Sequence, residues 1–160
     1  MQPHEIKPDT ELCTVIGYNA QTGYIRRYFN AILKRQGINA TAIALNLNDD
    51  NFEFTMRSLP HSKVDKMMLE QEFSRLVQPF CHVLHDGAER RVDFLEVKDG
   101  EIHAYNLDDA VDALFDDPSL LDDRTRFVAK MMLIARRWYG AHVDIDDIPL
   151  LIATVEKEER

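Results

Sequence analysis

The sequence lacks the features that would tie it to a membrane, to nucleic acid or to a disulfide-rich scaffold. It has only two cysteines, Cys13 and Cys81, which are too few for a disulfide framework. Acidic residues outnumber basic ones by 28 to 19, and the formal net charge of −9 disfavours binding to nucleic acid or to an anionic membrane surface. No run of about 18 apolar residues occurs, so we expect no membrane span. The polar N-terminus has no apolar signal segment, and we expect a cytoplasmic protein.

Glycine is equally scarce, and its placement argues against several kinds of ligand site. The six glycines of the chain form neither a G-x-G-x-x-G nor a G-x-S-x-G pattern. The aspartate clusters lack the spacing and the glycine of an EF-hand loop. We therefore expect no nicotinamide-binding site, and we assign no catalytic, cofactor-binding or metal-binding residue.

The first third of the chain has the pattern of a β-α-β unit. Strands are predicted over 12–17 and 39–47. Between them, apolar residues at helical spacing predict an amphipathic helix that begins near Ile25 and ends before Gly37. Such units favour a parallel pair of strands. An apolar fraction of 45% over 160 residues is enough for a sizeable core.

The middle third mixes clear signals with an ambiguous stretch. Residues 48–51 predict a turn and a helix N-cap, and the short helix that follows stops near Pro60. Ser62 has the place of a capping-box residue, and helical spacing runs from Leu69 to Phe80, whereas residues 63–68 fit a helix or a strand. Asp99-Gly100 between two apolar stretches predicts a hairpin over 91–106.

The last third is predicted to be helical. A short helix is expected over 110–115, a long one between an N-cap at Asp122 and Gly140, and a final one over 148–155. The apolar stripe from Phe127 to Trp138 is either a core surface within the chain or the interface of a homodimer.

These elements predict an α/β fold with three layers. We expect a mainly parallel or mixed sheet, helices on both faces of it and a helical C-terminal extension. We divide the chain into a loose N-terminal lead-in (1–10), an α/β domain (11–115) and a helical extension (116–160) that packs on the domain or on a partner.

Three groups of residues give this order of elements a resemblance to a known family. The first strand ends in Val15-Ile16-Gly17-Tyr18-Asn19, and the helix after it contains Tyr28-Phe29-Asn30. A short turn, Gly37-Ile38-Asn39-Ala40, precedes the second strand. The strongest group consists of Val92-Asp93-Phe94, Lys98-Asp99-Gly100 and Ala104-Tyr105-Asn106-Leu107-Asp108. With these residues, the segment 13–115 resembles the substrate-binding domain of shikimate dehydrogenases.

The resemblance implies that Asn106 and Asp108 contact a hydroxylated acid, as the matching asparagine and aspartate of the family contact substrate. Other family residues are missing. The Ser-x-Ser pair that binds the substrate carboxylate falls on Gly23 and Ile25, and the family's Val-Asn-Thr asparagine is Asp93. The motif of the catalytic lysine has no counterpart. The NADP-binding Rossmann domain of the family also has no counterpart. Such a domain needs a glycine-rich phosphate-binding turn, and the residues after Asp108 include a single glycine.

Each candidate residue also has a purely structural interpretation. Asn106 and Asp108 either hold ligand hydroxyls, or Asn106 satisfies a strand end and Asp108 or Asp109 caps the next helix. Arg26 either meets a carboxylate near a helix N-terminus or lies on a solvated helix face. Thr22 and Tyr24 lie in the loop that carries ligand contacts in the family, where their hydroxyls would replace the missing serines.

A second cluster, Cys81-His82-Val83-Leu84-His85-Asp86, has metal-binding residue types. On a helix, Cys81 and His85 would share a face suited to a metal, whereas on a strand the two histidines would point to opposite faces. No further ligands have a recognisable spacing, so we assign no metal to this cluster.

Three functions are compatible with these residues. The first is a non-catalytic domain that binds a small hydroxylated carboxylic acid through Asn106, Asp108, Thr22, Tyr24 and Arg26. The second is a homodimeric protein-interaction module that kept the fold and lost the ligand pocket. The third is the substrate-domain component of a split dehydrogenase, whose nicotinamide-binding domain would come from a separate protein.

Overall fold

The structure of the protein, a computed structural model, describes residues 6–158, so half of the expected N-terminal lead-in lies outside the described residues. Its strands are β1 (Glu11–Gly17), β2 (Ala40–Asn46), β3 (Lys66–Leu69), β4 (Val83–Leu84), β5 (Phe94–Lys98) and β6 (Glu101–Tyr105). Its α-helices are α1 (Tyr24–Arg35), α2 (Asp49–Ser58), α3 (Asp108–Asp112), α4 (Asp123–Tyr139) and α5 (Ile148–Glu158). None of the helices between residues 6 and 158 has the length and apolar character needed to cross a lipid bilayer.

The six strands form one mixed sheet in the order β2-β1-β3-β5-β6-β4. β1 runs parallel to β3, β5 is antiparallel to both β3 and β6, and β4 is parallel to β6. Backbone hydrogen bonds from Glu11 N to Asn39 O and from Leu47 N to Gly17 O join the two beginnings and the two ends of β1 and β2, which are therefore parallel. The predicted α/β class with a mixed sheet is confirmed.

Local sequence signals set several element boundaries as predicted. Asp99 and Gly100 have φ values of 52° and 76°, and this left-handed pair closes the hairpin between β5 and β6. The Asp122 side chain accepts a hydrogen bond from the Thr125 N–H at the start of α4. Gly140, with a φ of 72°, ends the same helix in the left-handed conformation that glycine adopts most readily.

The helix predicted after residue 48 is α2. Asn48 accepts from the Asn51 N–H, and the Asn51 side chain accepts from the Asn48 N–H, so the two residues form a capping box. A 3-10 turn that contains Pro60 follows directly on the helix. Phe52 and Met56, one turn apart, are buried and place the apolar face of α2 in the core.

Two predictions for the segment 62–80 are wrong. Ser62 does not cap a helix, because its hydroxyl accepts from the Val64 N–H and the chain continues into strand β3. The segment from Leu69 to Phe80 contains no α-helix: Leu69 ends β3, and 3-10 turns at 71–73 and 78–80 follow, with a turn between them. Phe73 and Val77 are fully buried, so the spacing reflects burial in a compact loop, which a helical pattern alone does not distinguish from a helix.

Backbone contacts divide the chain into two compact units. The first comprises residues up to 11, residues 27–41 and residues from 107 onward, and so holds most of α1 with α3, α4 and α5. The second comprises residues 12–26 and 42–106 and holds nearly the whole sheet with α2. The division at residue 115 that we infer from the sequence stays a prediction.

The first unit is built around α4. Arg124 donates to the Tyr28 hydroxyl (3.1 Å) and lies 2.9 Å from a carboxylate oxygen of Glu156, which links α4 to α1 and α5. Met131 and the neighbouring apolar residues of α4 are buried. The middle of the Phe127–Trp138 stripe is thus a core surface within the chain, and a homodimer through the C-terminal helices stays a prediction.

Candidate functional site

The second unit brings several chain segments to one edge of its sheet. The parallel strands β1 and β3 end at this edge, β5 begins there because it is antiparallel to β3, and β6 ends there because it is antiparallel to β5. We call the residues there the site edge, which comprises 17–23, 70–73, 91–93 and 106. In open sheets, the carboxyl ends of strands are the usual place for ligands.

The loop after β1 is held in place by three polar contacts. The Tyr18 N–H donates to Glu72 (2.8 Å), and the Tyr18 hydroxyl donates to Asp49 (2.6 Å). The Gln21 N–H donates to the side-chain oxygen of Asn46 (3.1 Å). The hydrogen bond to Asp49, with a smaller effect of desolvation and of the Asp49 and Glu72 charges, raises the pKa of Tyr18 above its usual value.

Glu70, the residue directly after β3, fills the space beside the glycines at the two ends of this loop. A Cβ atom placed on Gly17 would lie 2.5 Å from Glu70 Cγ and 2.8 Å from its Cβ. A Cβ atom on Gly23 would overlap Glu70 Oε1 and lie 3.0 Å from its Cδ. At Gly17 the backbone approaches Glu70 Cβ and Cγ too closely for a side chain, whereas at Gly23 the nearest atoms belong to the carboxylate end of Glu70, which can move aside. Gly23 is also the position at which the family resemblance places the first serine of the carboxylate-binding pair.

The other candidate residues of the loop make local contacts. The Thr22 hydroxyl is 3.4 Å from the Asn19 carbonyl oxygen, and Arg26 donates to the Gln21 carbonyl oxygen (3.1 Å). The Tyr24 side chain is exposed at the first position of α1. Thr22 and Arg26 thus hydrogen-bond carbonyl groups of their own loop, a contact that the sequence pattern did not indicate.

Asn106, after β6, is joined to the segment before β5. Its side-chain amide donates to the Arg91 carbonyl oxygen (3.0 Å), and its Cβ and Oδ1 lie 3.1 Å from where a Cβ on Gly87 would be. Gly87 has a φ of 91°, so it combines a left-handed backbone with a close approach to Asn106. The Arg91 guanidinium lies 3.7 Å from Asp93, whose side chain is buried. This arrangement fits the strand-end interpretation of Asn106.

Asp108 belongs to the first unit, where it is the first residue of α3. The helix starts two residues earlier than predicted, and its N-cap is Leu107, which has no side-chain acceptor. The interpretation of Asp108 or Asp109 as N-cap is therefore wrong. Asp108 instead lies 3.6 Å from the ammonium group of Lys130 on α4.

The Cys81–Asp86 cluster folds around the short strand β4. The Ile102 N–H donates to His82 Nδ1 (2.8 Å), and His85 Nε2 lies 3.0 Å from His103 Nδ1. Burial raises the pKa of the Cys81 thiol to about 11, so this thiol is protonated near neutral pH. Among residues 6–158, no three His, Cys, Asp or Glu side chains converge in a way that could hold a metal ion.

The first unit contains a cavity of about 270 Å³ that the sequence patterns did not indicate. Polar residues on one wall of the cavity are hydrogen-bonded to each other. The Gln36 side chain donates to the His142 carbonyl oxygen (3.0 Å) and accepts from the His142 N–H (2.8 Å). Arg35 lies 3.5 Å from Asp147 on the same wall. Its apolar wall consists of Ile32, Met132 and Leu151.

Solved structures that share this fold include shikimate dehydrogenases. The enzyme from Aquifex aeolicus gives a TM-score of 0.60 at 20% identity, over 81% of this chain and 54% of that chain. A shikimate 5-dehydrogenase-like protein gives 0.57 at 16% identity, over 95% and 61%. The Listeria monocytogenes enzyme, solved with shikimate and NAD, gives 0.58 at 14% identity, over 68% and 38%. This chain has the fold of part of a shikimate dehydrogenase.

The structural comparison confirms the resemblance inferred from Gly17, Asp99-Gly100 and Asn106 at the level of the fold. The chain spans 38–61% of the length of these three structures. No model of a known protein family and no curated protein matches the sequence. Sequence identities of 14–20% are enough to show a shared fold, but they do not show a shared function. The chemistry of the site edge depends on the residues of this chain.

Glu70 is the residue at this edge that the sequence analysis missed. Two features of the sequence indicate its position. An acidic residue follows the third strand, and the loop after the first strand has a glycine at each end. Since parallel neighbours end at the same edge, a long side chain after β3 reaches the loop after β1.

Proposed function

We propose that this chain is a non-catalytic protein-interaction domain that kept the shikimate dehydrogenase fold and closed the ligand edge with its own side chains. The observation that carries the proposal is the Glu70 side chain, which occupies the space beside Gly17 and Gly23. The resemblance to the family implies a serine hydroxyl that binds the substrate carboxylate at the position of Gly23. In this chain the carboxylate of Glu70 lies at that position.

Charge at the site edge supports the same conclusion. Glu72, two residues after Glu70, accepts from the Tyr18 N–H in the loop after β1, and Asp49 accepts from the Tyr18 hydroxyl of the same loop. Asp93 stands where the family has asparagine and already has Arg91 at 3.7 Å. A ligand that carries a carboxylate would meet like charges at this edge, which disfavour its binding.

The earlier candidate residues support the proposal through their contacts. Thr22 and Arg26 hydrogen-bond loop carbonyls, Asn106 bonds the Arg91 carbonyl, and Asp108 lies beside Lys130. A preformed ligand site normally presents a few converging polar groups to an open cavity. The cavity described in the first unit contains none of these residues. Binding of a small hydroxylated acid and the role in a split dehydrogenase remain alternatives that rest on the matches at Asn106 and Asp108.

Thermal unfolding in the presence of candidate ligands tests the proposal. We expect no saturable rise in Tm with shikimate, dehydroshikimate or quinate at millimolar concentration, with or without NADP. A ligand that binds the folded chain would stabilise it by roughly 2.7 kcal/mol at about a hundredfold excess over its Kd. A saturable shift that disappears in the Asn106→Ala, Asp108→Ala double variant would overturn the proposal and establish the acid-binding alternative. A shift that needs NADP would favour the split-dehydrogenase alternative.

A further inference from the structure

The cavity of the first unit has an apolar wall that three helices build together. Ile32 of α1, Met132 of α4 and Leu151 of α5 form this wall, and each residue is at most 3% exposed. Water gains few hydrogen bonds beside such a wall, so an apolar group covers it more favourably than water does. All residues that line the cavity belong to the first unit, and it therefore shares no residue with the site edge.

The charged side of the cavity is the side that solvent reaches. Arg35 of α1 lines it together with Asp144 and Asp147, which precede α5. The side chains of Arg35 and Asp147 are 42% and 41% exposed, and Asp144 is exposed as well. A ligand that fits the whole cavity therefore has a charged end near the surface and an apolar end against the buried wall.

The Arg35 guanidinium keeps most of its hydrogen-bond donors available. Within the described part of the chain, its one polar contact is with Asp147 Oδ1, and the distance of 3.5 Å is long for two charged groups. A guanidinium has five N–H donors in a planar fork that matches the two oxygens of a carboxylate. A ligand carboxylate would gain this bidentate contact without first breaking a short ion pair.

The two aspartates on this side carry the opposite charge. Asp144 Oδ1 accepts a hydrogen bond from the Asp146 N–H (3.0 Å), which holds the carboxylate in place and leaves Oδ2 for a ligand donor. The aspartates repel a ligand that is only an acid, and Arg35 repels a ligand that is only an amine. A zwitterion, with one group of each sign, is therefore the best match for these charges.

The volume of the cavity limits the ligand to a small molecule. About 270 Å³ lies just below the range of roughly 300–1,000 Å³ that is usual for sites of drug-sized ligands. At about 30 Å³ per water molecule, the cavity has the volume of roughly nine waters. A free amino acid with a branched aliphatic side chain, such as leucine, has a similar number of non-hydrogen atoms.

We propose that this cavity binds a free α-amino acid with an aliphatic side chain. The carboxylate of the ligand binds Arg35, its ammonium group binds Asp144, and its side chain covers the apolar wall. Each part of the ligand thus has a counterpart among residues that the fold already brings together. The inference goes beyond the proposed function, which concerns the site edge, because it adds a small ligand to the first unit of the interaction domain.

Isothermal titration calorimetry of the full chain with leucine tests the proposal. We expect saturable binding of leucine and binding at least about tenfold weaker for two analogues that each lack one charged group. Isocaproate lacks the ammonium group, and isoamylamine lacks the carboxylate. Glutamate should not bind measurably, because it would place a second carboxylate against the apolar wall.

Arg35→Gln and Asp144→Asn should each weaken leucine binding at least about tenfold. Glutamine removes the guanidinium and retains helix propensity, and asparagine retains an acceptor for the Asp146 N–H without the charge. Both side chains reach solvent, so far-ultraviolet circular dichroism and unfolding should stay cooperative and close to wild type. Arg57→Gln is the matched control, because Arg57 also lies on a helix beside a carboxylate, that of Glu53 at 2.8 Å, but in the second unit. It should leave leucine binding unchanged.

Methionine methyl resonances in NMR spectra report where leucine binds. Met132 lines the cavity, so its resonance should shift with leucine, whereas that of Met67, in the core of the second unit, should not. No saturable binding of leucine, isoleucine or valine at millimolar concentration would overturn the proposal. Leucine binding that both variants leave unchanged, or isoamylamine binding as tight as that of leucine, would overturn it as well. A shift with shikimate that Arg35→Gln does not affect would overturn the proposed function and leave this inference standing.

Discussion

At the residue scale, the closest carbon-to-carbon packing that we describe at the site edge is between Glu70 and Gly17. Glu70 lies directly after β3, and its aliphatic carbons come within 2.8 Å of the Cβ position of Gly17. The two residues are packed against each other, and neither can be changed without affecting the other. The glycine is therefore a packing requirement, not a flexible hinge.

Gly17→Ala is expected to destabilise the chain by about 1–3 kcal/mol, because the added methyl group overlaps Glu70 Cγ and Cβ. In a Glu70→Gly background the same substitution should cost clearly less, and the difference between the two costs is the coupling between the positions. Urea unfolding of the wild type, both single variants and the double variant measures the four free energies of unfolding. Equal costs in the two backgrounds would show that Glu70 does not occupy this space.

Other residues at the site edge could not be assigned from the sequence, for a physical reason. Thr22 and Arg26 bond backbone carbonyls of the loop, and Asn106 bonds the carbonyl of Arg91. These acceptors are backbone atoms, which carry no residue type that a sequence pattern can identify. The same polar side chains therefore fit a ligand contact and a loop contact equally well until the path of the loop is known.

At the scale of the elements, boundaries that depend on a single local residue were predictable. Asp99-Gly100 closes a hairpin through its own backbone conformation, and Gly140 ends α4 in the same way. The segment 71–80 was not predictable, because Phe73 and Val77 are buried in a compact loop with two 3-10 turns, and their spacing overlaps that of a helix. Aspartate is a common N-cap residue, so the residue type of Asp108 fits a helix N-cap. In the structure Asp108 is the first residue of α3, and its side chain lies beside Lys130.

The cap of α4 should make the stability of the chain depend on acid pH. Hydrogen bonds from Thr125 to Asp122, with the nearby Arg124 charge, hold the pKa of the Asp122 carboxyl below its usual value. A carboxyl whose folded pKa is lowered stabilises the fold above its unfolded pKa, about 3.9, and this contribution is lost as the pH falls through the folded value.

Asp122→Asn keeps a capping oxygen but does not titrate, so the Tm advantage of the wild type over this variant should shrink as the pH falls below about 4. Asp122→Ala should lower Tm at neutral pH as well, because it removes the cap. Melting curves from neutral to acid pH measure both effects. Asp123→Asn, one residue further into α4, is the control and should change this pH dependence far less. A Tm difference between wild type and Asp122→Asn that stays constant with pH would contradict the prediction.

At the scale of the whole molecule, the fold was predictable to a greater extent than the use of the fold. The strand-helix-strand pattern before Gly37 and the hairpin at Asp99-Gly100 led to the α/β class, and the structures of shikimate dehydrogenases share that architecture. The order of strands in the sheet depends on contacts between distant segments, as in the pairing of Thr14 with Met67. The place of β2 beside β1 and the exposed side chains of Ile43 and Leu45 therefore became visible only in the structure.

Under the proposed function, Glu70 separates this chain from proteins that respond to the supply of a metabolite. A diffusible ligand stabilises a binding site in proportion to the logarithm of its concentration, so the occupancy of such a site depends on the supply of that ligand. The Glu70 carboxylate is covalently part of the chain, and it lies beside Gly23 without having to be supplied from solution. The proposed function therefore implies that the stability of the loop after β1 does not depend on the concentration of any metabolite.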